Sequence, residues 1–141
     1  MSVGRLDINS KFYIDLGWWE SQGRDFREEL YDALCEECRR LYSLEGRREV
    51  DRIDPQTGEV TRRDALWECA MDECGRMPEF VSPKMPLTRA IFRAFIASGN
   101  APQSPTELYH RIGKGSPQII LKELLGPEMQ MDGITAVEEQ Q

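Results

Sequence analysis

The chain has 141 residues, enough for one domain with a real core or for two small ones that share an interface. Hydrophobic residues make up 40% and charged residues 30%, the balance of a soluble protein, and no apolar run approaches the roughly 18 residues that a membrane span needs. Eighteen basic against 25 acidic residues leave a net charge of −7, so the chain as a whole repels phosphate and any nucleic-acid contact must come from a local patch.

The first stretch, MSVGRLDINS, has no apolar secretory core behind its single Arg, which argues for a cytoplasmic location. Residues 9–22 set Phe12, Leu16 and Trp19 on one helical face, so the spacing predicts a helix there, ended by Gly23. Asp25 with Glu28 three residues on is a capping-box pattern. It predicts a helix to about Ser43, with an apolar stripe of Phe26, Leu30, Leu34, Cys38 and Leu41. Val50, Ile53 and Val60 flank DPQTG, a turn with Pro early and Gly late, and predict a β-hairpin over 49–62. Helix resumes from about Asp64 to Cys74 and is closed by Gly75; three prolines in RMPEFVSPKMP then mark a linker.

From Pro86 the pattern is helical again, with Leu87, Ile91 and Phe95 on one face and a stop at Gly99-Asn100. Ser104-Pro105 with Glu107 opens another helix with a cap, a proline in the first turn and a capping box. Ser116-Pro117 opens a third after the turn Gly113-Lys114-Gly115. Beyond Gly126-Pro127, EMQMDGITAV predicts two short strands around Asp132-Gly133. The expected fold class is mainly α with small β-hairpins: a helical region with one hairpin over 1–85 and a second unit over 86–141.

Helix, helix, tight turn, helix and small hairpin over 86–137 resembles a winged helix-turn-helix domain. The resemblance makes SPQIILKELLG the recognition helix and MQMDGITAV the wing. Domains of this family bind DNA or serve as protein-interaction modules. Residues 1–85 carry no such resemblance, and the chain as a whole looks like a small bacterial protein.

A recognition helix needs polar or basic side chains facing the groove. Gln118 suits an adenine and Lys122 a phosphate, with Arg111 and Lys114 adding charge at the turn. Glu123 opposes both. Residues 86–141 hold five basic and six acidic residues, and the wing has no Lys or Arg, too little to neutralise several phosphates. Ile119, Ile120, Leu121, Leu124 and Leu125 are also more apolar residues than one buried face uses. The chemistry therefore points first to protein–protein interaction in a regulatory or assembly role, with DNA binding as the alternative. Trp18-Trp19 and the helix over 117–125 are the apolar candidates for self-association. The expected partner is a second copy, paired through residues 9–43 with the winged helices outside.

Arg39, Arg40, Arg47, Arg48, Arg52, Arg62 and Arg63 cluster around the first hairpin, a residue type suited to bidentate recognition of phosphate or carboxylate. Interleaved Glu45, Glu49, Asp51, Asp54, Glu59 and Asp64 make self-neutralisation the competing reading.

Cys35 and Cys38 form C-x2-C; Cys69 and Cys74 follow after thirty intervening residues as C-x4-C. Four thiolates in two pairs are a zinc inventory, and a four-cysteine site would be structural because no position stays open. Two objections stand against it. C-x2-C here falls inside a predicted helix, and five helical residues turn Cys69 and Cys74 apart by about 140°. Burial as core thiols is the competing reading, and a disulfide a third. The one histidine, His110, has no nucleophile or carboxylate orienter beside it, and no catalytic motif is present. The sequence thus suggests no enzyme, no small-molecule substrate and no cofactor apart from zinc.

Overall fold

The computed structural model describes residues 5–42 and 49–138. In chain order these form β1 (Phe12–Ile14), α1 (Leu16–Ser21), α2 (Phe26–Ala33), α3 (Glu36–Leu41), β2 (Glu49–Ile53) and β3 (Val60–Asp64). Then come α4 (Ala65–Asp72), a 3₁₀ turn (Cys74–Arg76), α5 (Leu87–Ala97), α6 (Pro105–Ile112), α7 (Pro117–Leu124), α8 (Pro127–Gln130) and β4 (Ile134–Ala136). The chain is mainly α with small antiparallel β pairs, as its patterning implies.

The first departure lies at residues 9–22. Only Leu16–Ser21 are helical, and Phe12–Ile14 form a strand. Phe12 and Ile14 are buried on either side of half-buried Tyr13, which is strand alternation. The strand exists because β4 lies beside it: Phe12, Tyr13 and Ile14 pair with Ala136, Thr135 and Ile134. Phe12 also bridges to Gln103 on the other side of β1.

The same pairing replaces the hairpin expected over EMQMDGITAV. Its first half is the short helix α8, and its second half is β4, joined to β1 rather than to its own sequence neighbours. Asp132-Gly133 still makes a tight reversal, with Gly133 at φ +75°. A Cβ there would lie 2.8 Å from Trp18 Cε3 and from Trp19 Nε1. Gly133→Ala should therefore lower unfolding free energy by roughly 2–3 kcal/mol, combining left-handed strain with overpacking, as read by denaturant titration.

The helix expected from Asp25 to Ser43 is broken. Asp25 caps α2, but Leu34 and Cys35 are extended, and α3 starts anew at Glu36. Arg39 reaches back across the break, donating from Nε to the Tyr31 carbonyl and from Nη2 to the Asp32 carbonyl. It thereby joins the Leu34 amide, 3.1 Å away, at the Tyr31 carbonyl and adds a donor to the Asp32 carbonyl at the end of α2. The helix expected from 64 to 74 ends at Asp72, and Cys74–Arg76 turn as 3₁₀. The first hairpin forms as expected and runs on to Asp64, whose carboxylate caps α4 and pairs with Arg27.

From Leu87 to Leu124 the helices follow the sequence reading. Ser104 and Glu107 make the capping box, Ser116 accepts from the Ile119 amide, and Gly113 ends α6 at φ +74°. One contiguous cluster draws from both sides of the boundary expected at 85/86: Phe12, Trp19, Leu30 and Leu66 pack with Ile91, Phe95, Leu108 and Ile120. Phe80, within the proline-rich linker, is buried in the same cluster.

Candidate functional site

Two features stand out from the core. The first is the cysteine cluster. The break at Leu34 puts Cys35 at the N-cap of α3 in extended conformation, with Cys38 in the first turn of that helix. After Asp72 the α-helix gives way to a 3₁₀ turn, so the separation of about 140° expected of a continuous helix does not apply to Cys69 and Cys74. Gly75 permits this, since a Cβ would come within 3.1 Å of the Ala70 carbonyl and 3.2 Å of Ala97. Two local breaks in regular structure thus set the positions of Cys35 and Cys74.

Cys38 and Cys69 are joined as a disulfide with Cα atoms 6.1 Å apart. Cys35 and Cys74 are free, the first half-buried and the second buried. The sulfurs of Cys35, Cys38 and Cys74 all lie within 4.8 Å of one another. The Cys35 amide donates to Cys74 Sγ at 3.0 Å. Burial pushes the Cys74 thiol up to about 11, and that amide opposes the shift by favouring the thiolate. Cys74 is therefore a thiol at neutral pH. Arg93, desolvated by burial, is in electrostatic reach of Cys74 and Arg39 and lies over the Phe80 ring.

The second feature is a groove of about 350 Å³ with a mixed polar and apolar lining, whose walls include Leu6, Trp18, Leu124, Leu125 and β4. The two regions expected to drive self-association, α1 and α7, meet here. Leu6 is 41% and Leu125 44% exposed, and Asp15 is the single charged residue among the described residues lining the groove. Trp18 and Trp19 divide their roles. Trp19 is buried and donates from Nε1 to the Asp132 carbonyl, while Trp18 is half-buried at the groove. Arg24 stacks on Trp19 at 3.9 Å and donates to the Met131 carbonyl. The Asp132 carboxyl is held above its ordinary range by burial, with Arg24 opposing.

No protein-family model, curated protein or solved structure shows significant similarity to this chain.

Among the candidate DNA contacts, Gln118, Lys122 and Arg111 are exposed. Lys114 is half-buried, and its Nζ donates to the Met85 carbonyl at 2.9 Å, which ties the turn to the start of α5. On α7 the outward positions include Ile119, 49% exposed, next to Gln118. The described arginines of the cluster are each engaged by local partners. Arg39 caps α2, Arg40 pairs with Glu37, and Arg62 lies 3.7 Å from Glu49 and 3.5 Å from Asp51. Arg52 and Arg63 share the buried carboxylate of Glu68. Arg47 and Arg48 lie outside the described residues. His110 is exposed on α6. Among the described residues, no helix is long and apolar enough to cross a membrane.

The sequence reading missed Leu6, Arg93 and the β4 edge. No local signal marks them, because each acquires its neighbours through contacts between distant segments.

Proposed function

We propose that this chain is a non-catalytic assembly module that pairs with a second copy of itself through the groove between α1, β4 and α7, on a winged-helix-like C-terminal scaffold. The carrying observation is the edge of β4 beside the exposed side chains of Leu6 and Leu125 and half-buried Trp18. Among the described residues β4 pairs with β1 alone. The Asp15 amide donates to the Gly133 carbonyl and the Val137 amide to the Lys11 carbonyl, so antiparallel alternation turns the backbone of Ile134 and Ala136 away from β1. Such an edge is a template for another strand, and a two-fold axis beside it would pair β4 with its own copy. Leu6, Trp18 and Leu125 would supply apolar area at a spot with little charge, which matters for two chains each carrying −7. The interface then involves both α1 and α7, where the sequence alone suggested residues 9–43.

DNA binding is the second reading, favoured by the exposure of Gln118 and Lys122. Fluorescence anisotropy with a labelled duplex at low salt separates the two. The assembly reading predicts a flat titration. A rise that collapses as salt is added, and that Lys122→Glu weakens, would replace it with the DNA reading.

A further inference from the structure

We infer that the four cysteines form a redox-gated site for a thiophilic divalent ion of the zinc type: closed as a disulfide when oxidised, and a tetrathiolate site when reduced. The inference is independent of the pairing surface, which lies elsewhere on the fold.

The sulfurs of Cys35, Cys38 and Cys74 already lie within 4.8 Å of one another, and Cys69, outside that trio, is tied to it through its bond to Cys38. In tetrahedral four-sulfur coordination with bonds of about 2.3 Å, sulfurs sit roughly 3.8 Å apart. Cys35, Cys38 and Cys74 are within about 1 Å of that spacing, while Cys69 must move away from Cys38 once their bond is cut. The backbone is arranged for ligation. Cys35 is extended at the N-cap of α3, Cys38 stands in its first turn, and the Cys35 amide already donates to the Cys74 sulfur. Hydrogen bonds of this kind orient and stabilise sulfur ligands. A divalent ion among four thiolates leaves a net charge of about −2. The charge of Arg93, which interacts with Cys74, offsets part of it.

The chemistry balances with a small-molecule thiol as reductant. Two such thiols give up two electrons and two protons. The Cys38–Cys69 bond breaks, both cysteines become thiols, and the reductant leaves as its own disulfide. Binding then exchanges the four S–H protons for one ion. The disulfide of the small thiol reverses the sequence and releases the ion. The site holds no open coordination position, so its output is structural: it ties α3 to α4 in either state, by a covalent bond or by a metal.

Cobalt(II) tests this in the full chain. The reduced protein, kept anaerobic, should take up one cobalt per chain, with thiolate-to-metal charge-transfer bands and the intense d–d bands of tetrahedral coordination. Zinc should displace it in equal amount. The oxidised protein should show neither band, and Cys35→Ser should lose the tetrathiolate spectrum. Cys35 is half-buried, so that variant should keep its fold by circular dichroism. As a second reading on the unaltered chain, zinc should protect all four thiols of the reduced protein from alkylation, and a chelator should expose them. Absence of thiolate bands in the reduced protein, equal cobalt binding by the oxidised form, or free alkylation of all four thiols in zinc would each overturn the inference.

Discussion

Replacing Trp19 with alanine should destabilise the protein by roughly 3–5 kcal/mol, the range for deleting a buried aromatic. The reason is where the indole sits. It packs edge-on against Phe26 at 5.1 Å and tilts against Phe92 at 6.4 Å, joining α1 to α2 and α5. Its Nε1 also satisfies the Asp132 carbonyl at 2.8 Å, and its face carries Arg24. Truncation opens a cavity and strips a partner from a carbonyl at the turn that leads into β4. The loss should appear in denaturant titration as a lower midpoint with little change in slope. Trp18→Ala, at a half-buried position, should cost much less. A Trp19→Ala chain within about 1 kcal/mol of the parent would mean that the core is not organised as described.

Breaking the Cys38–Cys69 disulfide should cost about 3–4 kcal/mol, because its ends are 31 residues apart in sequence and the bond removes loop-closure entropy from the unfolded chain. The effect acts on the unfolded ensemble, so the denaturant slope should steepen as that ensemble expands. Thermal melting should fall by on the order of 10 °C. A reductant alone and the Cys38→Ala, Cys69→Ala double variant should give similar losses without metal. Zinc should restore the reduced parent and leave the double variant unchanged. Reduction that leaves both midpoint and slope untouched would argue that the loop is already closed by other contacts.

The parts of this fold that were legible from sequence are those specified by neighbouring residues. The capping box at Ser104 and Glu107, the Ser116 cap and the left-handed Gly113 each act within a turn of the chain, and α6 and α7 stand where they place them. DPQTG likewise set the first hairpin. β1 was not legible, since Phe12, Leu16 and Trp19 satisfy a helical spacing. The residue that decides for strand, Ile134, lies 120 positions from its partner Ile14. The break at Leu34 was hidden for a different reason. The four-residue stripe runs straight through it, no Pro or Gly marks it, and the groups that hold it open are Arg39 and the Cys74 sulfur. The cysteines were recognised as a set, but the meeting of Cys35, Cys38 and Cys74 depends on two helix breaks that spacing arguments for regular helices do not foresee.

Solution mass measured by light scattering over a wide concentration range tests the assembly reading most directly. The parent should reach twice the 16.3 kDa chain mass, and Leu125→Glu, which places a charge at the groove without entering the core, should return it to the monomer with an unchanged circular dichroism spectrum. A parent that stays at 16.3 kDa throughout, or a dimer indifferent to Leu125→Glu, would contradict pairing through this groove.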